Sequence, residues 1–255
     1  YHYHLFHNTS NSLYSNQLNE TGQLTFVDVA ASAGVAAIEE DSSGVAYGDI
    51  DNDGDQDLLV LSGGEGNRLF ENQGNGTFLD ISDSSGIGGG QPYSSSASFG
   101  DVNGDGLLDI AIANTFNWDS YGPIVAELFA NNEPNQLLIN TGNNTFIDAS
   151  EASGIQNLDL LGGTPGDGSI TWAISMVDYD LDGDTDIIHA DDDLGLFGNT
   201  DVDRGTIHIL QNDGTGTFTD VSIAAGTNIA GLWMGLSIGD FNSDGHLDFF
   251  GTNGG

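Results

Sequence analysis

An all-β fold built from repeated four-stranded antiparallel units is what this sequence predicts, and three observations predict it. A nine-residue Asp-rich segment recurs four times, and a shorter Asn…Thr-Phe-x-Asp segment alternates with it. Thirty-eight glycines stand against four prolines, with no long 3.6-residue periodicity, which reads as many short strands joined by tight turns.

The Asp-rich segment comes first in the argument. Asp49-Ile-Asp-Asn-Asp-Gly-Asp-Gln-Asp57 returns as Asp101-Val-Asn-Gly-Asp-Gly-Leu-Leu-Asp109. It returns again as Asp178-Tyr-Asp-Leu-Asp-Gly-Asp-Thr-Asp186 and as Asp240-Phe-Asn-Ser-Asp-Gly-His-Leu-Asp248. Small or apolar residues precede each copy and a short apolar run follows it, giving strand a, loop, strand b. The second segment runs from Leu69-Phe-Glu-Asn72 to Thr77-Phe-Leu-Asp80, from Leu138-Ile-Asn140 to Thr145-Phe-Ile-Asp148, and from Leu210-Gln-Asn212 to Thr217-Phe-Thr-Asp220. It reads as a hairpin of strands c and d about a Gly/Asn turn. A first copy is expected from Leu5-Phe-His-Asn8 to Thr25-Phe-Val-Asp28, with a longer turn.

Four-stranded units repeated in this way read as the blades of a β-propeller, here a single domain over residues 1–255. The units span 43–81, 95–149 and 170–221, with 231–255 completed by 1–30. The chain thus begins on c–d and ends on a–b. From Asp49 to Asn72 is 23 residues; fifteen from Asp240 to Gly255 and eight more to Asn8 give the same 23. Pairing of the two ends into a fourth blade, closing a four-bladed ring, is the expectation. Membership of a larger ring, or completion by a neighbouring molecule, is the alternative.

The pattern D-x-[D/N]-x-D-G-x-x-D places oxygens at alternate positions of a curled chain. Hard oxygen donors in a flexible cage suit Ca²⁺ rather than a soft metal. The expected ligands are Asp49, Asp51, Asp53, Asp55 and Asp57 in the first loop, and Asp101, Asn103, Asp105, Leu107 and Asp109 in the second. Asp178, Asp180, Asp182, Asp184 and Asp186 serve the third, and Asp240, Asn242, Asp244, His246 and Asp248 the fourth. The seventh position (Asp55, Leu107, Asp184, His246) offers its backbone carbonyl, so the His246 imidazole is expected to face water. None of the four loops has the Glu at position 12 of an EF-hand, and their flanks read as strands. Loops one and three hold five carboxylates each and loops two and four hold three, so the first pair is expected to bind more tightly.

Through these loops and the Thr-Phe-x-Asp hairpins the sequence resembles the FG-GAP or VCBS repeats of integrin-alpha-type propellers, over nearly its whole length. The resemblance implies an extracellular propeller with calcium in its a–b loops, serving adhesion or recognition. It also implies a seven-bladed ring as the usual larger assembly.

Composition narrows the partners. Thirty-nine acids against two bases, Arg68 and Arg204, give a net charge of −37, which repels nucleic-acid phosphates and acidic lipid headgroups. With 38% hydrophobic residues the chain still folds, and no apolar run reaches the roughly 18 residues of a spanning helix. There is no cysteine and hence no disulfide. The opening on Tyr1 reads as a processed product or a fragment.

Antiparallel order puts the a–b and c–d turns on one face of the ring and the longer connections on the other. Those connections hold all four prolines (Pro92, Pro123, Pro134, Pro165) and the aromatic residues Phe116, Trp118, Tyr121, Phe129 and Phe197, a candidate surface for a protein or glycan ligand. Packing of these aromatics onto their own loops is the alternative. Asp28, Asp80, Asp148 and Asp220 are expected to make turn hydrogen bonds, and His189 and His208 to be core or surface residues. Asn8, Asn19, Asn75 and Asn143 stand in N-x-[S/T] sequons.

No catalytic constellation is found, so the expected function is an extracellular calcium-binding recognition or adhesion module and not an enzyme. A self-assembling structural subunit and a polysaccharide-cleaving enzyme, or its accessory domain, are the alternatives.

Overall fold

The computed structural model describes residues 10–36, 41–88, 93–115, 134–156, 170–192 and 205–254. Three complete antiparallel sheets form within them. The first orders β3 (Ser42–Gly48), β4 (Asp57–Ser62), β5 (Arg68–Asn72) and β6 (Phe78–Asp80) side by side in chain order. The second contains β7 (Ser94–Gly100), β8 (Asp109–Asn114), β9 (Gln136–Asn140) and β10 (Phe146–Asp148), and the third β11 (Thr171–Val177), β12 (Asp186–Asp191), β13 (Ile207–Asn212) and β14 (Phe218–Asp220). A two-stranded sheet stands at each end: β1 (Tyr14–Asn16) with β2 (Phe26–Asp28), and β15 (Trp233–Gly239) with β16 (Asp248–Asn253). The all-β, four-stranded antiparallel architecture is as expected. Every a strand carries a register shift at the same place, two residues into the strand (Ser42/Gly44, Ser94/Ser96, Thr171/Ala173, Trp233/Gly235).

One expectation needs correction. The first c–d hairpin does not run from Leu5-Phe-His-Asn8: the partner of Phe26–Asp28 is Tyr14–Asn16, with Tyr14 opposite Asp28. A one-turn helix, α1 (Leu18–Thr21), occupies the long turn between them, so the 23-residue count to Asn8 loses its basis. Among the described residues β15–β16 and β1–β2 stand as two separate two-stranded sheets; residues 1–9, on which the expected closure also draws, lie outside the described residues.

A short helix follows each d strand: α2 (Ala30–Ala33), α3 (Ser82–Ser85), α4 (Ser150–Ser153) and α5 (Ser222–Ala225). The Asp that ends the strand starts the turn. Asp80 Oδ1 accepts the Ser82 N–H at 3.0 Å, while Ser82 Oγ accepts the Leu69 N–H at 3.0 Å, tying the helix back to strand c. Asp148 with Ser150 and Asp220 with Ser222 repeat the arrangement. Asp28 Oδ1 accepts the Ala30 N–H at 3.0 Å, but alanine lacks the hydroxyl that ties the other helices to strand c. The expected turn hydrogen bonds are therefore present.

Apolar residues between consecutive sheets form the core. Ile50, Leu59, Leu61 and Leu69 of the first sheet meet Ile110, Ile112, Leu138 and Phe146 of the second, with Ala97 and Phe99 against them. Val102, Ala111 and Leu137 meet Ile174, Ile187, Leu210 and Phe218 of the third. Ile188, Ala190, Ile207 and Ile209 then meet Leu236, Ile238 and Phe249. At the front, Leu13, Ala30, Ala33 and Val35 pack on Val60, Phe70 and Phe78. Phe78, Phe146 and Phe218 of the Thr-Phe-x-Asp segments each join the cluster shared with the preceding sheet, whereas Phe26 is exposed.

Candidate metal centre

Each Asp loop folds around its own first carboxylate. In loop one, Asp49 Oδ1 accepts the Asp53 N–H at 3.1 Å and Oδ2 the Gly54 N–H at 3.0 Å. Asp178 does the same for Asp182 and Gly183, Asp101 for Asp105 and Gly106, and Asp240 for Asp244 and Gly245. Such tight curling needs two left-handed residues per loop. One is the position-6 glycine; the other, at position 4, is Asn52 (φ 60°), Gly104 (72°), Leu181 (63°) or Ser243 (63°).

The position-9 carboxylate anchors the loop to its sheet. Asp57 is buried; its Oδ2 accepts the Ile50 N–H at 2.9 Å and its Oδ1 the Asn72 N–H at 2.8 Å. Asp109 binds Val102 and Asn140 identically, and Asp186 binds Tyr179 and Asn212. Asp248 receives Phe241. Burial, reinforced by the loops' other carboxylates and opposed by these backbone donors, pushes Asp109 and Asp186 each up to about 6 and raises Asp57.

In loop one, carboxylate oxygens of Asp49, Asp51 and Asp57 all lie within 4.8 Å of one another; in loop three Asp178, Asp180 and Asp186 do the same. Three like charges that close repel strongly without a counter-charge. An all-oxygen donor set of this kind fits a hard divalent cation such as Ca²⁺. In loops two and four an Asn, 103 or 242, stands at the third position. The position-7 side chains of loops one and three turn away from the cluster. A Cβ on Gly74 would lie 2.6 Å from Asp55 Oδ2, and one on Gly214 2.6 Å from Asp184 Oδ2, so both carboxylates lie against the c–d turns. Their backbone carbonyls remain the donors assigned to that position. His246 is exposed.

Loops one and two touch, and c–d turns reach the loops of preceding sheets. Asn52 Nδ2 donates to the Gly106 carbonyl at 2.9 Å, joining loop one to loop two. Asn140 Nδ2 donates to the Ile50 carbonyl at 2.8 Å and Asn212 Nδ2 to the Val102 carbonyl at 2.7 Å, each linking a c–d turn to the preceding sheet's loop. Sequence reading saw these Asn residues as turn markers and missed this role; their fixed six-residue distance from the Phe was the available signal.

A second polar cluster was missed. His189 Nδ1 lies 2.8 Å from Asp191 Oδ1, which also accepts the Thr171 hydroxyl at 2.7 Å. His208 Nδ1 lies 2.8 Å from Asp220 Oδ2, its Nε2 3.6 Å from Asp191 Oδ2, and the two imidazoles stack with centroids 4.8 Å apart. Burial pushes the Asp191 and Asp220 carboxyls up, but the histidines' charge and hydrogen bonds outweigh it and hold both below the usual carboxylate range. Both histidines are core residues, 1% exposed. The candidate ligand surface (Phe116, Trp118, Tyr121, Phe129, Phe197) lies outside the described residues, as do Asn8, Arg204 and every proline but Pro134. Among the described residues no helix is long and apolar enough to cross a membrane.

Parts of the chain are similar to known proteins. The family model described as FG-GAP-like repeat matches residues 49–112 and 191–251. Cartilage acidic protein 1 of Mus musculus is 37% identical over 93 residues, 36% of this chain and 14% of that protein. The Homo sapiens protein of that name is 34% identical over 93 residues, with the same coverage. The matched region therefore spans about a seventh of these relatives. Among solved structures, a Bacillus licheniformis rhamnogalacturonan lyase is 17% identical with a TM-score of 0.42, covering 83% of this chain and 40% of its own. The rhamnogalacturonan lyase YesW is also 17% identical, with a TM-score of 0.44 and coverages of 96% and 44%. Residues 49–112 and 191–251, which hold three of the four Asp loops, are thus FG-GAP-like repeat segments.

Proposed function

We propose that this chain is an extracellular calcium-binding recognition or adhesion module, not an enzyme, whose cations stiffen one face so that the opposite face can present a ligand surface. The observation that carries the reading is the gathering of Asp49, Asp51 and Asp57, and of Asp178, Asp180 and Asp186, on loops of one shared geometry. Asp101, Asn103, Asp105 and Asp109, and Asp240, Asn242, Asp244 and Asp248, would hold the other two cations. Backbone carbonyls of Asp55, Leu107, Asp184 and His246 would complete the four shells. Extracellular sites of this class bind at roughly 10⁻⁴–10⁻³ M. At about millimolar free calcium a ~10⁻⁴ M site stabilises the fold by about 1.4 kcal/mol. Four such sites give roughly 5–6 kcal/mol, comparable with the whole stability of a typical domain. Support for a non-catalytic role comes from the His189–Asp191–His208–Asp220 cluster, whose histidines are sealed from solvent.

Thermal unfolding in about 2 mM CaCl₂ and in excess EDTA tests the cation. The reading expects a melting temperature lower by many degrees in chelator; superimposable melts would sink it. A glycan array and a polysaccharide-degradation assay on the calcium-loaded chain separate recognition from catalysis.

A further inference from the structure

The c–d turn of the second sheet is docked on loop one of the first, where Asn140 Nδ2 donates to the Ile50 carbonyl at 2.8 Å. Four residues further on, Asn144 reaches the same loop. Its Nδ2 stands 3.4 Å from Asp51 Oδ2, too long for a strong hydrogen bond. Asp51 is one of the three carboxylates gathered in that loop, and its other oxygen, Oδ1, accepts the Asp53 N–H at 3.2 Å. The remaining atom of the amide has nothing to bind: Asn144 Oδ1 is buried and has no hydrogen-bond partner among the described residues. A buried oxygen left in that state is destabilising, and calls for a partner that the protein atoms do not supply.

The same position in the other complete sheets carries no side chain. Gly76 stands four residues after Asn72, and Gly216 four residues after Asn212. Gly216 holds the equivalent place against loop two: a Cβ on it would lie 3.3 Å from Val102 Cγ2 and 3.9 Å from Asn103 Cβ. All three residues have left-handed backbone, with φ 56° at Asn144, 84° at Gly76 and 78° at Gly216. Glycine takes that conformation freely and asparagine against a steric penalty. The second sheet thus sets an amide beside the loop-one carboxylates where its siblings have only backbone.

We propose that Asn144 is a ligand of the loop-one cation supplied by the neighbouring sheet, its side chain turning so that Oδ1 meets the ion beside Asp51. This rests on the calcium reading of the loops and extends that site from one loop to two sheets. The oxygen and nitrogen of the amide are nearly alike in shape, so the turn needs little room. Ligand oxygens lie about 2.3–2.6 Å from Ca²⁺, which sets neighbours at right angles about 3.3–3.7 Å apart. The amide already stands at that spacing from Asp51 Oδ2. With no ion present an amide oxygen facing the carboxylate is repelled, and the N–H is turned there instead. A bound ion satisfies the orphaned oxygen and ties the second sheet directly to loop one. Loop two, with Gly216 at the corresponding place, gains no such ligand.

Calorimetric titration with CaCl₂ of the unsubstituted chain and of Asn144→Gly and Asn144→Asp tests this, with melts in EDTA as the check on folding. Asn144→Gly installs the residue of the sibling turns and relieves the backbone, so its metal-free melt should be unchanged or raised. The proposal expects it to weaken one site roughly tenfold and leave the others alone. In an Asp49→Asn background, which damages loop one itself, the same substitution should change nothing. Asn144→Asp keeps a ligand oxygen, and should hold or tighten the site while lowering the metal-free melt by repulsion from Asp51. Calcium binding indifferent to Asn144→Gly, or weakened equally in the Asp49→Asn background, would overturn the proposal and leave the calcium reading standing. So would Asn144→Asp binding more weakly than Asn144→Gly, the mark of an N–H that only steadies Asp51. No calcium binding by the unsubstituted chain would remove the calcium reading and this proposal with it.

Discussion

Leu181 is a β-unbranched apolar residue held at φ 63° and 54% exposed, a position where loop two has Gly104. A side chain in the left-handed region costs about 1–2 kcal/mol. Leu181→Gly is therefore expected to stabilise the chain by about 1 kcal/mol in urea unfolding, less the larger chain entropy that glycine brings to the unfolded state. The acids of one loop also differ in kind. Asp180→Asn copies what Asn103 and Asn242 already do, and should lower cation affinity with little change in metal-free stability. Asp186→Asn sets an amide donor against one of the N–H groups of Tyr179 and Asn212, and should cost about 1–3 kcal/mol even in chelator. Calorimetric titration paired with urea melts in EDTA separates the two effects.

At the scale of elements, the third sheet is the unusual one. Where it pairs His189 with His208, the first sheet pairs Val60 with Arg68 and the second Ile112 with Gln136. The histidines hold the Asp191 and Asp220 carboxyls below the ordinary aspartate value of about 3.9. Their contribution to stability is thus fully present above that pH and is lost as pH falls through the folded values. His208→Gln, which installs the second sheet's residue, should leave a shallower loss of stability below about pH 4, read by tryptophan fluorescence in chelator. Asp191→Asn breaks a buried pair and should cost about 3–5 kcal/mol.

What the sequence made legible follows from what it repeats. The Asp loops and the Phe–Asp hairpins recur with fixed spacing, and the geometry forces their residue types, so strands a to d could be read directly. Helices α2 to α5 were not read, because four residues carry no 3.6 periodicity; their mark is the recurrent D-x-[S/A]-x-x-[S/A]-G, as in Asp148 to Gly154. The N-terminal hairpin offered two Leu-x-x-Asn frames, Leu5 to Asn8 and Leu13 to Asn16. Leu13 packs beneath Phe70 and Phe78, a long-range contact that local pattern does not contain. The His–Asp cluster joins residues from three strands and occurs once, so no repeat announced it.

At the scale of the whole molecule, −37 is a charge that works against a compact state unless part of it is neutralised. Sixteen of the acids stand at alternate positions of the four loops, and the four proposed divalent cations would bring the charge to −29. Asn52, Asn140 and Asn212 tie loops and turns of adjacent sheets together; on the proposed reading, loading one loop would stiffen its neighbour and the cations would hold the sheets in their row. Calcium titration of the metal-free chain by isothermal calorimetry at about 0.15 M salt tests this account most directly. The account predicts about four ions per chain in two classes, with the tighter class removed by Asp49→Asn together with Asp178→Asn. Absence of binding up to about 10 mM, or binding indifferent to those two substitutions, would contradict it.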